Sequence, residues 1–390
     1  MSLPPIRIGN RPDREPGGFE FATAGRILFG AGKVKELEAA AAAFGRAPLL
    51  VTRGAGASAC RAFACRFSVT GEPTLDLIRQ GTELAHERGC DVVIAMGGGS
   101  ALDAGKAIAA MIANPGDPLD YLEVIGRGQP LQNDPAPCIA VPTTAGTGSE
   151  VTRNAVLGSV EHRVKASLRS VRMLPRLAIV DPELTLSLPP AVTASTGLDA
   201  LTQVIEPYVS VRANAMTDMF CIEGMRAATA LPRVWKNGAD REGRSAMAWA
   251  ALLGGLSLAN AGLGAVHGFA APIGGMFAAP HGAVCAALLP HAMAINIQAL
   301  RSRDPNGRAL ERYSHVAVLL TGKSNSTPED GARWVAELCR SIEIPPLRQY
   351  GVQQSDIPVL VEKAARASSM KGNPIVLEEG ELREILERAI

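Results

Sequence analysis

The sequence has no excess of charge of either sign. Its 39 Lys and Arg residues are balanced by 38 Asp and Glu residues, and the basic residues are dispersed along the 390-residue chain. Proteins that bind nucleic acid or anionic membrane surfaces usually carry a concentrated basic patch. We therefore predict no nucleic-acid partner and no membrane partner, and we expect a small-molecule ligand instead.

The sequence also lacks a cysteine framework and a secretion signal. Its seven cysteines are an odd number without CxxC spacing, which argues against a disulfide scaffold and against a cysteine-rich zinc site. The N-terminal segment has charges and prolines where a signal peptide needs a continuous apolar core. These absences predict reduced thiols, mostly in cores, and a cytoplasmic location.

Residues 246–300 contain no Asp, Glu, Lys or Arg, yet they carry three of the six histidines, His267, His281 and His291. Gly, Pro, Asn and His interrupt this apolar run too often for a transmembrane span of about 20 residues. We therefore predict core helices of a soluble protein. The histidines suggest a buried site, although each alone is also compatible with a core imidazole bonded to a backbone carbonyl.

Strand and helix patterns alternate in the first half of the chain. The length allows two domains. Apolar β patterns occur at residues 47–52, 91–96, 138–141 and 171–181, and helical patterns at residues 33–44, 75–88 and 101–114. From residue 191 onward the pattern is helical. The sequence therefore predicts a doubly wound α/β part followed by a helical part.

A glycine turn separates the strand at 91–96 from the helix at 101–114. It consists of Gly97, Gly98, Gly99 and Ser100. Three glycines let a pyrophosphate approach the backbone, and the helix N-terminus favours its negative charge. The pattern predicts a dinucleotide-binding turn.

Two further segments follow predicted strands. Residues 143–150 (TTAGTGSE) follow the strand at 138–141 and are expected to line the same crevice. Arg53 follows the strand at 47–52, where a basic side chain tolerates the 2′-phosphate of NADP. A solvated surface arginine is the alternative. In the helical half, Asp199 and Gln203 are four residues apart and therefore share one helix face.

These motifs together resemble the iron-containing (group III) alcohol dehydrogenases. The resemblance rests on the glycine turn with Asp103 and Lys106, on residues 142–152 (PTTAGTGSEVT), on Asp181-Pro182, on residues 197–201 (GLDAL), and on His267 with Pro280-His281-Gly282. It spans most of the chain.

The resemblance implies a fold, two cofactors and their contacts. The expected fold is a Rossmann-like, dehydroquinate synthase-like α/β dinucleotide-binding domain (residues 1–187) and an all-α metal and substrate domain (residues 188–390). The expected cofactors are NAD or NADP and a divalent iron or zinc, and the expected assembly is a homodimer acting on an alcohol or aldehyde. The implied cofactor contacts are Gly97, Gly98, Gly99, Ser100, Asp103, Thr143, Thr144, Thr147, Thr152 and Lys165, with Arg53 beside them. The implied metal ligands are Asp199, His267 and His281, with Gln203 at a fourth position.

The sequence departs from the family pattern at two positions close to the chemistry. Gln203 and Ala271 stand where the family usually has histidines. A glutamine oxygen is a weaker metal ligand than imidazole, and alanine cannot relay a proton.

These departures leave three alternatives. One is a metal-independent reductase like the maleylacetate reductases, and another is a carbon–oxygen lyase like the dehydroquinate synthases. The third is a cofactor-binding protein with a degenerate catalytic site.

Overall fold

A computed structural model describes residues 18–53, 62–159, 161–162 and 164–390. Six strands form one parallel sheet in the N-terminal half. They are β1 (Ile27–Phe29), β2 (Pro48–Thr52), β3 (Cys65–Ser68), β4 (Val92–Gly97), β5 (Cys138–Pro142) and β8 (Leu177–Val180), and a separate antiparallel hairpin is formed by β6 (Asn154–Ser159) and β7 (Val164–Arg169). The strand order in the sheet is β1-β8-β5-β4-β2-β3.

Helices cover both faces of this sheet. They are α1 (Leu37–Phe44), α2 (Leu75–Glu87), α3 (Gly99–Ala113) and the short α4 (Pro118–Tyr121). On β2, Leu49 and Val51 pack with α2 and α3, whereas Leu50 packs on the opposite face with Leu37 of α1. Burial on both faces explains why β4 reads as the continuous apolar run VVIAMG.

The strand order reverses between β2 and β4. From β2 the chain continues outward to β3, whereas from β4 it continues to β5 on the other side. In open α/β sheets, ligands bind in the crevice at the carboxyl ends of the strands next to such a reversal. Thr52 and Gly97, the last residues of β2 and β4, border that crevice.

The C-terminal half consists of helices. They are α5 (Pro190–Val209), α6 (Ala215–Ala228), α7 (Leu231–Lys236), α8 (Arg241–Ala261), α9 (Ala265–Met276), α10 (His281–Arg303), α11 (Arg308–Thr321), α12 (Pro328–Ser341), α13 (Ile357–Arg366) and α14 (Glu379–Ala389). By length and hydropathy α10 is capable of crossing a membrane, but 83% of its apolar window is buried inside the protein. It is a core helix, as predicted.

The structure confirms the α/β half and the helical half. The strand predicted at 171–181 is shorter than expected, because a 3₁₀ turn occupies Val171–Met173 and β8 covers only Leu177–Val180. Pro175, between them, has no N–H to donate to a sheet. Strands β1 and β3 and the β6–β7 hairpin were not predicted. The sheet ends at Val180 and α5 begins at Pro190, and the domain boundary at 187/188 stays a prediction.

Candidate metal and dinucleotide site

Four side chains from three helices meet in the helical half. Asp199 lies on α5, His267 on α9, and His281 and Cys285 on α10. One donor atom from each lies within 4.8 Å of all the others. Asp199 Oδ1 is 3.5 Å from His267 Nε2 and 3.7 Å from His281 Nε2. A carboxylate, two imidazoles and a thiol at this spacing form a donor set suited to a divalent metal.

Glu206 holds one of these histidines from behind. It lies on α5, on the same helix face as Asp199, and its Oε2 accepts a hydrogen bond from His267 Nδ1 at 2.7 Å. This bond assigns a proton to Nδ1 and turns Nε2 toward the cluster. Metal-binding histidines usually have such a carboxylate partner on their second nitrogen.

The N-terminus of α9 is held by side chains from distant parts of the sequence. Val266 N donates to Glu206 Oε1 at 2.7 Å, and Ala265 N donates to Asn373 Oδ1 at 3.1 Å. Asn373 is buried and exchanges two hydrogen bonds with Asn296 of α10. These bonds fix α9, and with it the imidazole that it carries, against α5 and α10.

Two buried oxygen atoms at the cluster lack a hydrogen-bond partner among the residues that the structure describes. They are Asp199 Oδ1 and Gln203 Oε1, and both residues are at most 2% exposed. A carboxylate this deeply buried has to be balanced by positive charge nearby, since burying it alone costs on the order of several kcal/mol. A cation at the cluster would satisfy the Asp199 oxygen, so the residues present fit a divalent metal.

The charges of the cluster shift the pKa values of its members. Burial alone would lower the pKa of His281, but the charges of Cys285 and Asp199 outweigh it and raise this pKa to about 9. Burial alone would also lower the pKa of His267, but Cys285 and Glu206 outweigh it and raise this pKa well above its ordinary value. Burial would raise the pKa of Asp199, but the two histidines lower it. Metal binding must therefore displace protons, so metal affinity should rise with pH.

The predicted cofactor loops lie side by side at the carboxyl ends of β4 and β5. Thr143 N donates to Gly97 O at 2.9 Å. A Cβ placed on Gly99 would lie 2.8 Å from Thr147 Cγ2, so only glycine fits there without a shift. The structure thus brings the glycine turn and the hydroxyl-rich loop together, as the sequence predicts.

The N-terminus of α3 faces this crevice through Gly98. A Cβ on Gly98 would lie 3.3 Å from Thr144 Cγ2. Among the described residues, no side chain caps α3, and Ser100 lies in its first turn. Uncapped amides at the start of a long helix suit a pyrophosphate. The residues present fit a dinucleotide.

A buried lysine ties the two loops together. Lys106 Nζ donates to Ser149 Oγ at 2.6 Å, to Thr152 Oγ1 at 3.1 Å and to Asn154 O at 2.5 Å, and it lies 3.2 Å from Asp103 Oδ1. Asp103 also accepts a hydrogen bond from Ser149 Oγ. Asp103 and Thr152, both predicted cofactor contacts, therefore bind the protein's own loops.

The two basic residues that were predicted to contact the cofactor lie on different elements. Arg53 follows β2, and its backbone N is 3.6 Å from the Cβ position on Gly97, so it borders the crevice. Lys165 lies on β7, with its Nζ 3.3 Å from a carboxylate oxygen of Glu72 and 3.0 Å from the Cβ position on Gly274 of α9. Lys165 thus joins the hairpin to the helical half.

Two positions noted in the sequence lie apart from the cluster. Ala271 is exposed on α9, one turn after His267. His291 lies on α10 in a groove shared with Ala332 and Ala336 of α12, and it is not part of the four-residue cluster.

Sequence reasoning missed Glu206 and assigned Cys285 to the group of core thiols. Both were detectable from helical spacing. Glu206 follows Asp199 by seven residues and Cys285 follows His281 by four, and residues at these spacings share one helix face.

Comparison with known proteins agrees with this geometry. The family model for iron-containing alcohol dehydrogenase matches residues 24–182, and the model for the C-terminal part of the Fe-containing alcohol dehydrogenase family matches residues 193–390.

The chain belongs to the iron-containing alcohol dehydrogenase family.

Individual relatives match this chain over most of their own length. Alcohol dehydrogenase 4 of Schizosaccharomyces pombe is 37% identical over 324 residues, which cover 83% of this chain and 74% of the relative. A crystal structure of 1,3-propanediol oxidoreductase superposes with a TM-score of 0.87 at 31% identity, covering 96% of this chain and 100% of that one. Maleylacetate reductase from a Rhizobium species superposes with a TM-score of 0.76 at 27% identity, covering 96% and 98%.

The protein is therefore an oxidoreductase of the iron-containing alcohol dehydrogenase type. Members of this family use NAD(P) and a divalent metal, and alcohol and aldehyde substrates are consistent with the family.

Proposed function

We propose that this iron-containing alcohol dehydrogenase interconverts an alcohol and its aldehyde or ketone, with NAD or NADP bound at the Gly97–Gly99 turn. Asp199, His267 and His281 would hold a divalent metal beside the nicotinamide. The observation that carries the proposal is the buried Asp199 Oδ1, which has no hydrogen-bond partner among the described residues and lies 3.5 and 3.7 Å from two imidazole nitrogens.

The protein's own residues divide the work between binding and orientation. The amides at the start of α3 would bind the pyrophosphate, with Thr143, Thr144 and Thr147 along the nicotinamide side. Glu206 would keep His267 in the tautomer and orientation that a ligand needs. The side chain of His281 is 36% exposed, against 6% for His267. Substrate would therefore approach the site from the His281 side.

The bound groups supply the chemistry that side chains lack. When bound, a divalent metal supplies Lewis acidity at the substrate oxygen. A bound nicotinamide would supply the hydride acceptor or donor. The chain would position both groups and exclude water from the buried side of the cluster.

The presence of Asp199 favours a metal-dependent alcohol dehydrogenase over a metal-independent reductase. Asp199 is fully buried within a set of possible metal ligands, whereas a site without metal would leave its Oδ1 with no hydrogen bond, facing only the imidazoles 3.5 and 3.7 Å away. We also propose a cytoplasmic location, supported by six free cysteines among the described residues, and a homodimer, supported by the family resemblance.

The first experiment measures metal and turnover in the same preparation. Protein purified without chelators should contain about one equivalent of iron or zinc per chain and should oxidise NADH or NADPH with short aldehydes. Chelation should abolish turnover and added metal should restore it. Asp199→Asn should lose both metal and turnover while still binding NAD(P)H. Turnover that survives complete metal removal would instead support the metal-independent alternative.

A further inference from the structure

Asp199, His267 and His281 supply three donors to the proposed metal site, which leaves the fourth position to be assigned. Gln203 was predicted to fill that position, and its amide lies close enough to the Asp199 carboxylate to help lower the pKa of that group. A carboxylate only accepts, so Gln203 must present its NH₂ group to Asp199. Its Oε1 then points elsewhere and lies 3.4 Å from the Cβ position on Gly254 of α8. Gln203 is therefore placed as an outer partner of Asp199.

Cys285 is the fourth member of the cluster, at the position that Gln203 was predicted to fill. It lies on α10 one turn after His281, is completely buried, and its Sγ is 3.7 Å from His281 Nε2 and 3.8 Å from His267 Nε2. The other two buried thiols of the helical half, Cys221 and Cys339, do not belong to the cluster. Cys285 thus faces the two imidazole nitrogens that also face Asp199 Oδ1.

The spacing of the four donor atoms is close to that of a tetrahedral site. Bonds of about 2.0–2.1 Å to nitrogen and oxygen and about 2.3 Å to sulfur, at tetrahedral angles, separate donor atoms by about 3.3–3.6 Å. The four measured separations run from 3.5 to 3.8 Å. A small inward shift of each side chain would complete the coordination.

We propose that the Cys285 thiolate is the fourth protein ligand of the metal. The inference rests on the proposed metal site, because Cys285 has a ligand role only if a metal binds to Asp199, His267 and His281. Binding forms a metal–sulfur bond and releases to solvent the proton that the thiol and the imidazoles hold between them in the metal-free protein. A borderline-soft ion such as zinc suits this mixed sulfur, nitrogen and oxygen set.

Cobalt(II) substitution tests the metal–sulfur bond directly. The metal-free parent protein, loaded with one equivalent of Co(II), should show a sulfur-to-cobalt charge-transfer band in the near ultraviolet beside the visible ligand-field bands. Cys285→Ser should lose the charge-transfer band. It should also weaken zinc binding by more than the roughly 10- to 100-fold that is typical of an outer-shell change.

Two control variants distinguish a metal ligand from a residue that only lies near the metal. Cys339→Ser removes another buried thiol that contacts α10, through Ala286 O, and should keep the band and the zinc affinity. Gln203→Ala should also keep the band. A parent spectrum with ligand-field bands but no charge-transfer band would overturn the Cys285 assignment and leave the proposed metal site standing. A parent that binds no cobalt or zinc would overturn both.

X-ray absorption of the zinc-loaded parent keeps the test independent of any variant's folding. A scattering shell from one sulfur at about 2.3 Å, beside nitrogen and oxygen at about 2.0–2.1 Å, would support the assignment. A shell of nitrogen and oxygen alone would refute it.

Discussion

Glu206 shows how a residue outside the predicted ligand set controls the site. One of its carboxylate oxygens accepts from His267 Nδ1 and the other accepts from Val266 N, so one side chain orients both the imidazole and the start of α9. A negative charge on this partner also makes the imidazole a stronger donor.

We expect Glu206→Gln to weaken zinc binding by about 10- to 100-fold, because the amide keeps the shape of the side chain and loses its charge. Competition with a chromophoric chelator measures the affinity. Glu223→Gln, on the surface of α6 beside Arg226, is the matched control and should leave it unchanged. An unchanged zinc affinity in Glu206→Gln would mean that the carboxylate does not tune the ligand.

Glu150 gives the protein a pH dependence that is independent of the metal cluster. Burial raises the pKa of Glu150 to about 7 from an ordinary 4.5, and its Oε2 has no partner in the described part of the chain. Between these pH values the folded protein holds a proton that the unfolded chain has released. The contribution of Glu150 to stability is therefore fully present below the lower value and is lost as the pH rises through the upper one.

Replacing Glu150 with Gln should flatten this dependence. The fall in the free energy of unfolding between about pH 5 and about pH 8 should shrink by about 2–3 kcal/mol, measured by urea denaturation. Glu38→Gln, exposed on α1, should leave the slope as it is in the parent. The same slope in Glu150→Gln and in the parent would show that the carboxyl is ionised in the folded protein.

Residues of the site differ in how far the sequence reveals them. Asp199, His267 and His281 were predicted, because the family resemblance carries them residue by residue, and the structure brings them together. Cys285 was not, because a cysteine in an apolar run is usually core; helical spacing places it beside His281, but only the packing of α10 against α9 brings it to His267. The choice between Gln203 and Cys285 depends on tertiary contacts that no local pattern encodes.

The sequence predicts the buried strands and the long helices, and it does not predict the short edge strands. The buried strands β2, β4 and β5 and the long helices α2 and α3 give continuous apolar or amphipathic patterns, and they were predicted to within two residues at either end. The edge strands β1 and β3 have only three and four residues. Such short edge strands are defined by pairing with a neighbour, which local periodicity does not encode.

The contact of α3 with β4 depends on a glycine within the helix. A Cβ on Gly105 would lie 2.4 Å from Ala95 Cβ. We expect Gly105→Ala to lower the free energy of unfolding by about 1–3 kcal/mol, because the helix must move away from the sheet. Gly380→Ala on α14, whose new Cβ meets no atom within 4 Å, should be neutral or slightly stabilising. Equal stability of the two variants would show that α3 adjusts without cost.

At the scale of the whole molecule, the two halves meet through a pair of glycines. A Cβ on Gly148 would lie 2.4 Å from Gly255 Cα on α8, so the hydroxyl-rich loop of the α/β half touches the helical half backbone to backbone. We therefore expect this contact to contribute to the alignment of the crevice with the metal cluster.

We expect Gly148→Ala to keep NAD(P)H binding within about 3-fold while lowering turnover by about 100-fold, since a small misplacement of reacting groups has effects of that size. Gly128→Ala is the matched control, because Gly128 has nearly the same positive φ, +60° against +59°, and no atom within 4 Å of its Cβ position. Fluorescence titration and steady-state kinetics separate binding from turnover. Equal turnover in the two variants would mean that the glycine contact does not align the halves.

The bond from Ala265 N to Asn373 Oδ1 also sets an order of events during biosynthesis. The start of α9 is held by a residue that is synthesised 108 residues later. Until then the helix that carries His267 lacks one of its two anchors, although Asp199 and Glu206 are already synthesised. A divalent ion at the proposed site should consequently bind only after Asn373 has been synthesised.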